Sequence, residues 1–279
     1  MKTLITAFLF FLVSLVSAYA QVDTLVDVGS YKLHFRILKG EMNPILFESG
    51  GGLDATQWDS ISTVLHGELN ATIITYDRQG LGQSGLDTSK FNILHEIKSL
   101  ELALERLGFA NQSKLLVCHS LGAFYSRLYA FRNPHIVTGV IMLDPRIPSY
   151  ADMRFARSVS SKLTRADFSE KDLGLYYVLA KMERNSDFLR KKSIPANIPI
   201  LNIMAEQGPF DTKEENDRFK SAQKNFIETR ANASLVYAKG SSHNIPQDKP
   251  DFVILEILNF YRQKFEEQLS AKTIILHGN

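Results

Sequence analysis

Cysteine is nearly absent. Cys118 is the one thiol in 279 residues, so no internal disulfide can form, and no Cys/His framework at metal-ligand spacing is present. The core must hold the fold without covalent or metal staples. Runs of lysine or arginine are missing too: with 32 basic and 30 acidic residues the formal net charge is +2, and no basic stripe suits a phosphate backbone. Nucleic acid is therefore not an expected partner. Internal repeats, low-complexity tracts and linkers are also lacking, which leaves one large domain or at most two. The longest apolar run, Leu4 to Val16, follows Lys2 and ends before Ala18-Tyr19-Ala20, a small-x-small site. It falls short of the about 20 residues of a spanning helix. Residues 1–20 are read as a cleaved signal peptide, so a secreted or periplasmic protein with no stable membrane span is expected. The sequence leaves its oligomeric state open.

Short apolar runs alternate with longer amphipathic stretches, the signature of an α/β sheet. Residues 25–28 and 31–38, joined by Gly29-Ser30, leave no room for a helix and should form an antiparallel hairpin. Strands are then expected at 45–49, 71–76, 115–118, 137–143, 198–204 and 234–238. Helices are expected at 54–66, 91–107, 122–132, 212–230 and 252–269. Between Pro148 and Pro195 the strand signal disappears, charge rises, and apolar residues fall at helical spacing. The expectation is a mostly parallel sheet of about eight strands flanked by helices. Its core spans 21–147 and 196–279, and a small helical cap occupies 148–195. Ligands of such sheets sit beyond the carboxyl ends of the strands, so chemistry is sought in the loops after Ser49, Tyr76, Cys118, Leu143, Met204 and Ala238.

The strongest local signal is Leu115-Leu116-Val117-Cys118-His119-Ser120-Leu121-Gly122-Ala123, a strand running into His-Ser-x-Gly and then a helix. It resembles the nucleophile elbow of the α/β-hydrolase family, with Cys118 where the motif has its first glycine. Three more segments match that family in order. Phe47-Glu48-Ser49-Gly50-Gly51-Gly52 follows the first parallel strand, Asp77-Arg78-Gln79-Gly80-Leu81-Gly82-Gln83-Ser84 follows the next, and Lys239-Gly240-Ser241-Ser242-His243 follows the last. The resemblance implies Ser120 as nucleophile, His243 as its base, and the Leu121 and Gly51 amides as oxyanion donors. His119 is read as a packing residue, and the 77–84 loop as a structural floor.

The acid partner is open among three residues. The family's usual position, after the 198–204 strand, falls on Gly208, flanked by Glu206 and Asp211. Asp144 ends the preceding strand in Leu143-Asp144-Pro145, a placement resembling that of pancreatic-type lipases. Asp211-Thr212-Lys213-Glu214 has capping-box spacing, which gives Asp211 a helix to cap, so Asp144 is preferred. A rival reading takes Gly50-x-Gly52-x-x-Ala55 with Asp77 as a dinucleotide fingerprint. Two strands precede it, and it leaves Ser120 and His243 unexplained. The resemblance implies a serine hydrolase that needs neither cofactor nor metal and cleaves a small-molecule carboxylic ester. Amides, peptides and lactones remain alternatives, as does a catalytically silent binding module of the same fold.

Overall fold

Alternation at period two makes β1 (Gln21–Asp27) and β2 (Lys32–Leu38) an antiparallel ribbon, with Val22, Thr24 and Val26 turned inward and Asp23 and Leu25 outward. A computed structural model of the chain describes residues 21–277, and side chains as far as residue 264; the signal segment expected at 1–20 lies outside the described residues. Six further strands follow: β3 (Met42–Glu48), β4 (Ala71–Tyr76), β5 (Lys114–His119), β6 (Val137–Leu143), β7 (Ile200–Ala205) and β8 (Ala233–Ala238). The sheet runs β1-β2-β4-β3-β5-β6-β7-β8, antiparallel from β1 through β4 and parallel from β4 to β8. Consecutive parallel strands need crossovers, and these are supplied by helices on both faces.

Those helices are α1 (Asp59–Leu69), α2 (Ile93–Arg106), α3 (Gly122–Arg132), α4 (Tyr150–Ser160), α5 (Leu173–Ala180), α6 (Met182–Leu189), α7 (Lys213–Glu228), the short α8 (Ile245–Asp248) and α9 (Pro250–His277). One apolar layer joins Leu46, Leu116 and Val140 of the sheet to Ile97, Leu100 and Leu104 of α2 and Phe124 of α3. The other joins Ile45, Leu115, Val117 and Ile141 to Ile61 and Leu65 of α1 and Val253 and Ile257 of α9. Adjacent residues such as Leu115 and Leu116 thus feed opposite layers, and β4, β5 and β7 are buried throughout. No helix among the described residues is long and apolar enough to cross a membrane.

Two local expectations shift. The helix expected at 54–66 opens as a 3₁₀ turn, Ala55–Trp58, because Asp54 accepts the Thr56 N–H; the α-helix proper starts at Asp59. The cap of α7 is Thr212, whose hydroxyl accepts the Glu215 N–H at 3.3 Å; Asp211 lies exposed one residue earlier. The capping-box spacing was real, but its register is one residue on, which leaves Asp211 without the role assigned to it.

The segment 148–195 carries α4, α5 and α6 over the carboxyl ends of the strands. It is held there by charge and by close backbone approach. The Arg146 guanidinium donates to Asp152 of α4 at 2.7 Å, and Ser186 of α6 donates to the other Asp152 oxygen at 2.7 Å. Gly174 of α5 lies against Gly80, so close that a Cβ on Gly174 would stand 1.9 Å from the Gly80 carbonyl oxygen. Any side chain at Gly174 would push α5 off the loop below it.

At the amino ends of the strands, Lys114 starts β5 fully buried, its ammonium donating to the Gln112 carbonyl at 2.5 Å. Burial without a counter-ion pushes it down to about 8. A base whose native pKa lies below its unfolded value near 10.5 costs stability while charged. That cost fades as pH rises through 8 toward 10.5. Lys114→Met is therefore expected to raise Tm at pH 7 by several degrees. It should also remove the wild-type gain between pH 8 and 10; calorimetry across that range checks both.

Candidate active site

The turn from β5 into α3 is sharp because Ser120 adopts φ +53°, a left-handed conformation that costs a non-glycine residue about 1–3 kcal/mol. The surroundings hold it there: the Ser120 N–H donates to Leu143 O and the Arg146 N–H donates to Ser120 O, both at 3.0 Å. Helix α3 can begin at once because Gly122 has no side chain; a Cβ there would stand 2.6 Å from the Glu48 carbonyl oxygen. Cys118, at the place of the motif's first glycine, fits inside the apolar layer, and burial pushes its thiol upward. The outcome is a half-exposed Ser120 hydroxyl above the sheet.

His243 reaches it from the loop after β8. Its Nε2 lies 2.8 Å from Ser120 Oγ and its Nδ1 lies 2.6 Å from Asp144 Oδ2. An ionised carboxylate only accepts, so Nδ1 carries the proton and Nε2 is left with a lone pair facing the hydroxyl. Asp144 follows directly on β6 with φ +40° and no exposed surface. Its second oxygen accepts from Gln223 of α7 at 2.8 Å and from the Ala205 N–H at 3.3 Å. The loop bearing His243 is pinned by Asp248, which accepts both the N–H and the hydroxyl of Ser242 at 2.7 and 2.6 Å.

The other two acid candidates stand elsewhere. Glu206 accepts the Gly240 N–H at 2.8 Å, and Asp211 is exposed before α7. At Gly208, where the family's usual acid would fall, a Cβ would stand 2.1 Å from Asn216 Oδ1, so a side chain there would have to displace Asn216. The structure brings Ser120, His243 and Asp144 into one hydrogen-bonded path and leaves Glu206 and Asp211 outside it.

Facing Ser120 is the 49–52 loop. Gly51 lies against Leu121: a Cβ on Gly51 would stand 3.3 Å from Leu121 Cδ2. Among the described residues, neither the Gly51 nor the Leu121 N–H is taken up by a hydrogen bond. The Leu121 N–H at the amino end of α3 and the Gly51 N–H in the loop after β3 are therefore free backbone donors. His119 does more than pack. Burial holds it neutral by pushing it down to about 3. Its Nε2–H donates to the His243 carbonyl at 2.9 Å, and its Nδ1 accepts from Gln57 Nε2 at 2.7 Å. Gln57 Oε1 in turn accepts the Gly50 N–H at 2.8 Å. Sequence reasoning passed over Gln57 and Gln223 because a lone glutamine carries no pattern.

Asp77, the acid of the dinucleotide alternative, is spent on the protein. Its Oδ1 accepts the Ala55 N–H, and its Oδ2 the Gln83 N–H and a bond to His34 Nδ1, each at 2.8 Å. Among the described residues no group of three or more His, Cys, Asp or Glu side chains is placed to hold a metal ion.

A model of the alpha/beta hydrolase family matches residues 45–256. An uncharacterized protein of Bacillus subtilis (strain 168), YqjL, is 27% identical over 218 residues, covering 78% of this chain and 83% of that protein. Among solved structures, a Vigna radiata epoxide hydrolase mutant superposes with a TM-score of 0.69 at 16% identity, over 87% of this chain and 99% of that one. A thermophilic esterase from Thermogutta terrifontis gives 0.63 at 17% identity, over 88% and 99%. The thioesterase domain from the curacin biosynthetic pathway gives 0.60 at 16% identity, over 86% and 99%.

Proposed function

This chain belongs to the alpha/beta hydrolase family, and on that premise we propose that it is a serine hydrolase cleaving small-molecule carboxylic esters through Ser120, His243 and Asp144. The observation that carries the reading is the continuous path from Ser120 Oγ through the His243 ring to Asp144, with contacts of 2.8 and 2.6 Å. In this reading His243 Nε2 takes the Ser120 proton as the oxygen attacks the carbonyl carbon. The imidazolium that forms is stabilised by Asp144. The amides of Gly51 and Leu121 hold the tetrahedral oxyanion, and His243 then protonates the departing alkoxide. Water, deprotonated by the same imidazole, releases the acyl group from Ser120.

Esters come first because an alkoxide leaves more readily than an amine and so asks less of the site. The cap favours a small or medium acyl group: Leu175 of α5 sits over Gly52, where a Cβ would stand 3.0 Å from its Cδ1. The N-terminal segment 1–20 supports a secreted or periplasmic location. The test is a panel of p-nitrophenyl esters of increasing acyl length, with anilide and lactone controls. Turnover of short and medium esters is expected, with kcat/KM falling at least tenfold for long chains and for the anilide. A preference for the anilide or the lactone would reassign the substrate to that class.

A further inference from the structure

We propose that Arg78 is the positioning residue of the oxyanion site. Its guanidinium fork draws the carbonyls of Ser49 and Gly50 inward and thereby turns the Gly51 N–H outward over Ser120. The peptide plane sets the direction. The peptide between Gly50 and Gly51 is trans, as is every other described one, so its N–H points opposite to its C=O. Arg78 Nη1 donates to Ser49 O at 2.5 Å and Nη2 donates to Gly50 O, which also accepts the Leu53 N–H at 3.3 Å. With the Gly50 carbonyl tied below, the Gly51 N–H has one direction left, toward the cleft.

Three glycines lack side chains to fix their dihedrals, and the turn bond from the Leu53 N–H to Gly50 O is long at 3.3 Å. A peptide flip there would offer the oxyanion a carbonyl in place of a donor. Arg78 itself is fixed by being 2% exposed. It stands 3.6 Å from Glu48 Oε2, and Tyr125 of α3 lies beneath it at 4.7 Å. Glu48 is held in turn by the Tyr76 hydroxyl. Gln57 grips the Gly50 N–H from the other side, so both ends of the Gly50 residue are held. An Arg is suited to this because two donors in a rigid fork reach two carbonyls at once, which a single ammonium does not.

The proposal rests on the serine-hydrolase reading. Kinetics of Arg78→Met and Arg78→Lys on p-nitrophenyl acetate, with phenylboronic acid as a probe that becomes tetrahedral on Ser120, test it. Arg78→Met is expected to lose about 10²-fold in kcat, in the range of losing one oxyanion donor. KM should stay within about threefold, and boronate affinity should fall in step with kcat/KM. Arg78→Lys should lose about tenfold. Equal kcat and equal boronate affinity in a folded variant would overturn the proposal. Should Arg78→Met not fold, Arg78→Lys, which keeps the buried charge, decides by the same criterion. If the wild type neither turns over nor binds boronate, the hydrolase reading fails. The clamp is then judged by the crystal structure of Arg78→Lys, where a Gly50–Gly51 peptide left unmoved would overturn it and a rotated one would support it.

Discussion

Ser120→Ala is expected to abolish labelling by a fluorophosphonate probe and to lower ester turnover by about six orders of magnitude, toward the residual set by binding and the oxyanion donors. The chain should stay folded, because among the described residues the hydroxyl's one partner is His243 Nε2. A companion variant separates chemistry from backbone strain. Ser120→Gly is equally inactive, yet it relieves the cost of a φ of +53° and should exceed Ser120→Ala in stability by about 1 kcal/mol. Denaturant titration of the pair measures that difference. A folded wild type that the probe leaves unlabelled would argue for a binding module on the same fold instead.

The second large effect falls on the acid. Asp144→Asn should lower kcat by about 10⁴-fold at neutral pH with KM little changed. An amide can donate toward His243 Nδ1, which favours the tautomer whose Nε2 carries the proton and faces the serine with no lone pair to offer. Asp211→Asn and Glu206→Gln are expected to leave kcat within about twofold, because neither side chain reaches the imidazole. Full activity in Asp144→Asn, or a large loss in Asp211→Asn, would move the acid to the other side of β7. The wild-type bond from Gln223 to Asp144 Oδ1 at 2.8 Å gives the same experiment a graded form. Gln223→Leu removes one of three groups orienting the carboxylate and should cost about tenfold in kcat, a loss that rescue by Gln223→Glu would not repair.

Much of the architecture was legible in the one-dimensional pattern. Continuous apolar runs such as Ala71–Tyr76 mark strands buried on both faces, and the periodic face of α2 marks a helix lying on them. Asn133-Pro134 stops α3 where expected, at Arg132. These are local properties, set by side-chain spacing and by the dihedral limits of proline and glycine. The expected signal segment lies outside the described residues. Motif position also pointed to Ser120, His243, Gly51 and Leu121 and placed Asp144 among the acid candidates, since a loop that follows a parallel strand must emerge on the same edge of the sheet as its neighbours.

What spacing could not supply is which groups meet. The choice between Asp144 and Asp211 turned on which carboxylate meets His243 Nδ1, Asp144 at 2.6 Å, because the cap that spacing reserved for Asp211 belongs to Thr212. His119 looked like filler because its two partners, Gln57 and the His243 carbonyl, lie 62 and 124 residues away. Arg78, in a loop read as mere floor, acquired its place only when β3 and β4 paired and brought the Ser49 and Gly50 carbonyls within its reach. Local chain chemistry therefore determined the strands, the helices and the order of the loops. The closing of distant segments onto one sheet edge decided partners, protonation and donor direction, because hydrogen bonds and burial depend on separation in space and carry no trace of separation along the chain.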